Sequence, residues 1–223
     1  MFSLLKKNTA FFIPYFIFLL AGGIILVLWN KTDIHLYINS HNCPTADLFF
    51  SNWTNLGLGI MIIPVAIILA FIRFRYMIMS VIGLALSGGI NDSIKVIFHS
   101  PRPLSVFKDL HQTLHLVPNV QVYSDYSFPS GHSATSFCMF CLLAIYTHNK
   151  PAKFLCFLIA FLIAYSRMYL SEHFLKDIYA GSLIGVGSAL LTYTWVMNAR
   201  IFNKFADRLD KPLINLTLNR KMK

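Results

Sequence analysis

The chain has 223 residues, of which 56% are apolar and only 13% charged, with a mean hydropathy of +0.60. That balance excludes an ordinary soluble domain. Its 19 Lys and Arg against 9 Asp and Glu leave a formal charge of +10, but these cations flank apolar runs as membrane borders do, which argues against a nucleic-acid partner.

Lys6 and Lys7 precede an apolar run from Phe11 to Trp29, longer than a signal-peptide core and followed by no small-residue cleavage site, so an uncleaved first span is expected. Asn30 to Asn55 is a polar and aromatic connection. Its later part, Ala46 to Trp53, places apolar residues on one side, suiting an interfacial segment or a plain loop equally. Leu56 to Ile72 is a second span, closed by the basic turn Arg73-Phe74-Arg75. The third, Tyr76 to Phe98, begins apolar but carries Gly83, Gly88, Gly89, Asp92 and Lys95 in its second half; Asp92 reads as a structural partner of Lys95 or of a nearby polar group. The long loop His99 to Phe128 holds Phe107, Leu110, Leu114 and Val117 at roughly helical spacing, which predicts a short amphipathic helix on the membrane surface. The remaining spans are His132 to Thr147, Phe154 to about Glu172, and Ile178 to Ala199, the last with a Gly181-x-x-x-Gly185 helix-contact pattern. A basic tail, 200–223, follows. The expected fold is therefore all-α: one membrane-embedded domain, 1–223, of six transmembrane helices with an amphipathic extracytoplasmic loop region.

The cysteines Cys43, Cys138, Cys141 and Cys156 supply no disulfide framework, because three lie in apolar runs and only Cys43 in a connection. Cys138 and Cys141 have C-x-x-C spacing, but inside an apolar helix without a second ligand pair they read as small hydrophobes. His111 and His115 are four apart; a surface pair is preferred over a metal site, and no metal or cofactor is expected.

Six spans put both termini on one side. Lys6, Lys7, Arg73, Arg75, Lys150, Lys153, Arg200, Lys204, Arg208, Lys211, Arg220, Lys221 and Lys223 then share that side, leaving Lys31, Lys95, Arg102, Lys108, Arg167 and Lys176 for the other. The positive-inside rule makes the first side cytoplasmic. Span counting also brings Lys95, Arg102, His132 and the stretch from Arg167 to Asp177 to one non-cytoplasmic edge. Ionisable groups at membrane depth are functional by default. Three cations around two histidines suit a multiply charged oxyanion, since guanidinium forks match phosphate geometry. Ser130 and Gly131 precede the fourth span, where helix N-terminal N–H groups add donors. His173 and Asp177 are four apart and share a face if that segment is helical, leaving one ring nitrogen free as nucleophile or base.

Lys95-x6-Arg102-Pro103, Pro129-Ser130-Gly131-His132 and Ser166-Arg167-x5-His173-x3-Asp177 together resemble the three signatures of the type 2 phosphatidic acid phosphatase family. The resemblance covers Lys95 to Asp177. It implies a six-helix membrane fold and a metal-independent phosphatase working through a phosphohistidine. On that resemblance Lys95, Arg102, Ser130, Gly131 and Arg167 hold the phosphate, His132 is the general acid, His173 the nucleophile and Asp177 its orienting partner. Each residue also has an ordinary reading: Lys95 as a snorkelling lysine, Arg102 as a loop residue, His132 at a headgroup-facing helix start, and His173 with Asp177 as a structural polar pair. Arg167 resists that reading, because an arginine inside a span costs about 2.5–3.5 kcal/mol on insertion scales.

The expected partner is a phosphorylated membrane lipid in the bilayer, met at the outer face of the cytoplasmic membrane. Candidates are undecaprenyl diphosphate, phosphatidylglycerol phosphate, phosphatidate and the phosphates of lipid A. A phosphotransferase using the same intermediate, or a non-catalytic protein that binds or transports lipid headgroups, are the competing readings.

Overall fold

The computed structural model describes residues 2–213, which form helices and turns with no strand among the described residues. The basic tail beyond 213, with Arg220, Lys221 and Lys223, lies outside the described residues. A short α1 (Phe2–Lys7) leads into α2 (Thr9–Leu28). Twenty residues rise about 30 Å, the thickness of the hydrocarbon core. Its two faces differ as a lipid boundary requires: Ile17, Leu20 and Val27 are exposed, while Phe11, Phe12 and Tyr15 are buried.

The polar connection is not a loop. It forms α3 (Lys31–Ser40) and α4 (Pro44–Trp53), the second started by Pro44 in its first turn. The expected second span is broken. Two 3-10 turns, Thr54–Gly57 and Gly59–Met61, precede α5 (Ile62–Ile72), and the halves Pro44–Gly57 and Gly59–Ile72 meet at 63°. At the break Gly57 packs so closely that a Cβ there would stand 2.5 Å from Ile163 Cγ2 and 2.9 Å from His132 Cδ2. α5 alone rises only about 16 Å.

α6 (Phe74–Phe98) crosses to the other end, where His99 adopts a left-handed conformation that stops it. α7 (Pro103–Asp109) is the helix of the long loop, but it is misplaced relative to the expected Phe107–Val117 stripe. Pro103 starts it early and His111, at φ 53°, lies just beyond its end. Nor does it lie on a membrane surface by an apolar stripe: Phe107 turns inward against His35 and Phe174, and Leu110 is exposed.

α8 (Gly131–Tyr146) is the central post. α9 (Lys150–Tyr169), α10 (Leu175–Asn198) and α6 pack around it, and α11 (Arg200–Lys204) and α12 (Ala206–Leu209) follow. The Gly181-x-x-x-Gly185 pattern is the seam between α10 and α8. A Cβ at Gly181 would stand 2.5 Å from Ser130 O, and one at Gly185 would collide with Ala134 O. Phe18, Phe137 and Phe157 close the core between α2, α8 and α9, with the Phe18 and Phe137 rings stacked at 5.9 Å.

Among the described residues four helices are long and apolar enough to cross a bilayer, and the bent pair makes a fifth if taken as one span. α8, at sixteen residues, rises about 24 Å. The protein is thus an all-helical multi-pass membrane protein, although helix length alone does not make the count six. Its basic ends meet: Lys153 Nζ donates to Lys7 O (2.8 Å) and Asn8 Oδ1 (2.5 Å). Arg75 Nε lies 3.0 Å from Asp210 Oδ1, and Phe74 N–H donates to Lys211 O. Lys95 and Arg167 stand at the far ends of α6 and α9.

Candidate active site

At that far end the three motifs come together around the N-terminus of α8. Ser130 caps α8 through its hydroxyl oxygen, which accepts from Ser133 N–H at 3.4 Å. Its own N–H is spent, donating to Asp177 O (3.0 Å). Of the expected backbone donors at this helix start, the one on Ser130 is therefore committed to the fold. Gly131 faces Lys95: a Cβ there would lie 3.9 Å from Lys95 Nζ and 3.5 Å from Asn91 Nδ2. His132 follows on the first turn of α8, within electrostatic reach of Arg167, His173, Lys95 and Arg102.

The condition under which His173 and Asp177 would share a helix face, that their segment be one helix, is not met. α9 ends at Tyr169, and Ser171 takes φ 57°. Phe174 is the N-cap of α10, and Asp177 is its N3 residue, accepting Phe174 N–H at 2.9 Å. The i, i+4 approach thus comes from a capped turn, where a carboxylate at N3 also satisfies a helix-end donor. His173 Nδ1 lies 3.5 Å from Asp177 Oδ2, at the outer limit of a hydrogen bond, with both groups buried. Ser127 Oγ donates to the same carboxylate at 2.5 Å. Burial holds the His173 imidazole down to about 4 against the opposing pull of Asp177, so the ring is neutral near pH 7.

Arg102 and Arg167 are both buried, at 8% and 7% exposure. The chain folds Arg102 inward by tying its backbone N–H to Ser124 O and its Nε to Asp125 O, each at 2.8 Å. Arg167 Nη1 donates to Thr54 Oγ1 at 2.7 Å, so the broken second span supplies a ligand to the last turn of α9. Between the two guanidinium groups sits Glu172. Its Oε2 pairs with Arg102 Nη1 and lies 3.5 Å from Arg167 Nη2. Burial raises the Glu172 carboxyl, and the two arginines oppose that rise.

A second polar layer fixes this corner from outside. Ser171 Oγ meets His35 Nε2 at 3.2 Å and accepts from Asn39 Nδ2 at 3.1 Å. Asn39 also holds the backbone of His115, whose Nε2 lies 3.0 Å from Asp47 Oδ2; Tyr169 OH donates to Asp47 Oδ1 at 2.5 Å. His115 is therefore engaged with Asp47, while His111 is exposed, and they do not form the expected pair. Asp92 is exposed and makes no ion pair with Lys95 among the described residues.

All eight predicted site residues thus gather at one end of the bundle. Sequence reasoning missed Glu172, Ser127, Thr54, Asn91 and His35. Only Glu172 carried a usable signal, as an acidic residue between two cations of the third motif. Among the described residues, no three His, Cys, Asp or Glu side chains are grouped to hold a metal ion.

Residues 75–201 match the model of the PAP2 superfamily. Aquifex aeolicus LpxE has a similar structure, with a TM-score of 0.66 at 29% identity over 73% of this chain and 93% of that one. A transmembrane PAP2-type phosphatidylglycerolphosphate phosphatase of Bacillus subtilis shares the fold with a TM-score of 0.63 at 22% identity, covering 88% of this chain and 98% of that one. Dolichyldiphosphatase 1 of Mus musculus is 30% identical over 129 residues, 51% of this chain and 48% of its own length. The chain spans between about a third and a half of the length of the curated relatives it matches.

Proposed function

The chain belongs to the PAP2 superfamily, and from that premise we propose that it is an integral membrane lipid phosphatase, hydrolysing a phosphomonoester or pyrophosphate on a lipid headgroup. The observation that carries this reading is the capped turn holding His173 on Asp177 beside two buried arginines. Asp177 faces Nδ1 and holds its proton, so Nε2 presents its lone pair outward. Nε2 attacks phosphorus in line, the P–O bond to the lipid breaks, and His132 gives a proton to the departing oxygen. His132 then takes a proton from water, which attacks the phosphohistidine and frees inorganic phosphate. Lys95, Arg102 and Arg167, with the hydroxyl of Ser130 and the N–H of Gly131, stabilise charge on the equatorial oxygens. These side chains supply the electrophilic assistance that a metal gives elsewhere, so the reaction runs without one.

Both termini are cytoplasmic in this reading, by the positive-inside rule, and the site opens on the outer face of the cytoplasmic membrane. The meeting of Lys7, Lys153, Arg75 and the start of the tail at one end of the bundle supports it. A site at the bilayer edge takes the phosphate while the acyl or prenyl chains remain in lipid. The relatives include proteins named for a phosphomonoester and for a diphosphate. The candidate substrates therefore remain undecaprenyl diphosphate, phosphatidylglycerol phosphate, phosphatidate and the phosphates of lipid A.

The test is release of inorganic phosphate from these lipids by purified protein in mixed micelles, with and without a chelator. Turnover that survives chelation and disappears in His173→Ala supports the reading. Normal turnover in His173→Ala, or loss to chelator with rescue by a divalent ion, overturns the assigned chemistry. Product appearing only with an added lipid or sugar hydroxyl would make the protein a phosphotransferase instead.

A further inference from the structure

A carboxylate between the two guanidinium groups of a phosphate site is a contradiction on its face. Glu172 is 1% exposed. Its Oε2 is shared by Arg102 and Arg167, and its Oε1 has no hydrogen-bond partner among the described residues. Nor is the backbone free to carry it away. Glu172 N–H donates to Arg167 O at 2.9 Å, and Glu172 O accepts from Arg102 Nη1 at 3.4 Å. The preceding Ser171, at φ 57°, is pinned through its hydroxyl by His35 and Asn39 of α3. A non-glycine residue in that conformation is held there by its surroundings. Four separate contacts therefore keep the carboxylate among the arginines.

We propose that Glu172 is a specificity-determining residue, a fixed counter-anion that restricts the phosphate site to single, dianionic phosphomonoester groups and rejects diphosphates. The proposal rests on the phosphatase reading above and narrows its substrate class. Lys95, Arg102 and Arg167 carry three formal positive charges, and Glu172 removes one. The two that remain match a phosphomonoester dianion. A diphosphate brings additional negative charge into the same water-poor site, where a carboxylate a few ångströms away repels it strongly. Discrimination by a repulsive element of this kind needs no additional contact to the favoured ligand. The same carboxylate keeps two neighbouring guanidinium groups from repelling each other before substrate arrives, since buried charges persist only when paired.

The experiment is calorimetric titration of the purified protein in detergent with inorganic phosphate and with pyrophosphate, at one pH and ionic strength. In wild-type protein pyrophosphate is expected to bind no more tightly than phosphate. In Glu172→Gln, which keeps the shape and removes the charge, the preference should move toward pyrophosphate by at least tenfold, or about 1.4 kcal/mol. An unmoved ratio in a folded Glu172→Gln protein, or a wild-type preference for pyrophosphate, overturns the proposal. Should the variant not fold, wild-type protein given a polyprenyl monophosphate and the matching diphosphate decides the matter. Higher kcat/KM for the monophosphate supports the proposal, and higher kcat/KM for the diphosphate sinks it. If neither these lipids nor the other candidate lipids are turned over, the phosphatase reading fails, while the wild-type titration still bears on the proposal, which a preference for pyrophosphate overturns.

Discussion

Replacing Asp177 by Asn removes one charge and keeps the shape of the side chain. In the native site Oδ2 accepts from Ser127 Oγ (2.5 Å) and Phe174 N–H (2.9 Å) and lies 3.5 Å from His173 Nδ1. An amide keeps its single oxygen toward the two strong donors, because leaving a buried N–H unpaired costs about 1–3 kcal/mol. That oxygen is also the one nearest His173 Nδ1, so the Nδ1–H tautomer survives and what is lost is the charge. The positive charge that develops on the imidazole when Nε2 bonds to phosphorus then has no anion beside it. Losing the carboxylate that steadies a catalytic imidazolium costs on the order of 10²–10⁴ in turnover. The fold should lose roughly 1–3 kcal/mol, because the NH2 group takes the place of Oδ1, which is buried without a partner among the described residues. The assay is phosphate release from a phosphomonoester lipid, fitted for kcat and KM separately, beside a thermal melt. The expected result is a fall in kcat of at least a hundredfold with KM within a few-fold. A kcat within threefold of wild type in a folded Asp177→Asn protein would refute the role of the Asp177 charge.

The seam between α8 and α10 gives a paired prediction. Gly185→Leu drives a side chain into Ala134 O and puts its Cβ 2.8 Å from Cys138 N, so overpacking should cost roughly 1–3 kcal/mol or more and lower the melting temperature. Gly187→Ala, on the same helix with nothing within 4 Å of its Cβ, should be neutral or stabilising by up to about 1 kcal/mol. Equal melts for the two variants would contradict the packing. Stability should also depend on pH through His35, which burial holds down to about 4 while Asp177 opposes. The unfolded chain binds a proton that the folded one refuses, so this contribution is complete above pH 6.5 and is lost as pH falls from 6.5 toward 4. His173 acts in the same direction. The melting temperature should therefore drop across that window, and drop less steeply in His35→Gln; an identical slope would remove His35 as a cause.

Much of the site was legible because its residues violate the rules of a lipid-buried helix. Arg167 and Lys95 have no business in hydrocarbon, and counting apolar runs is enough to put them at one end. Gly181 and Gly185 were readable for the same reason, as small residues where two helices must touch. What stayed hidden depended on contacts across the chain. Thr54 reaches Arg167 beside the break in the second span, where Gly57 packs against Ile163 and His132, residues far along the chain. The helices of the first connection were obscured because α3 buries only His35 and Asn39, polar residues held by hydrogen bonds to Ser171 and His115. Hydrophobic period cannot report such an element. The long loop misled in the opposite sense: Phe107 and Val117 are buried, but in separate places, so their helical spacing was accidental.

Rapid acid- and base-quenched turnover, followed by mass spectrometry of the digested protein, addresses the chemistry most directly. The account predicts a phosphoryl group on the His173 imidazole, formed within the first turnover, labile to acid and stable to base. Phosphate found on a serine, an aspartate or His132 instead, or lipid hydrolysis with no covalent phosphoenzyme at any time point, would contradict it.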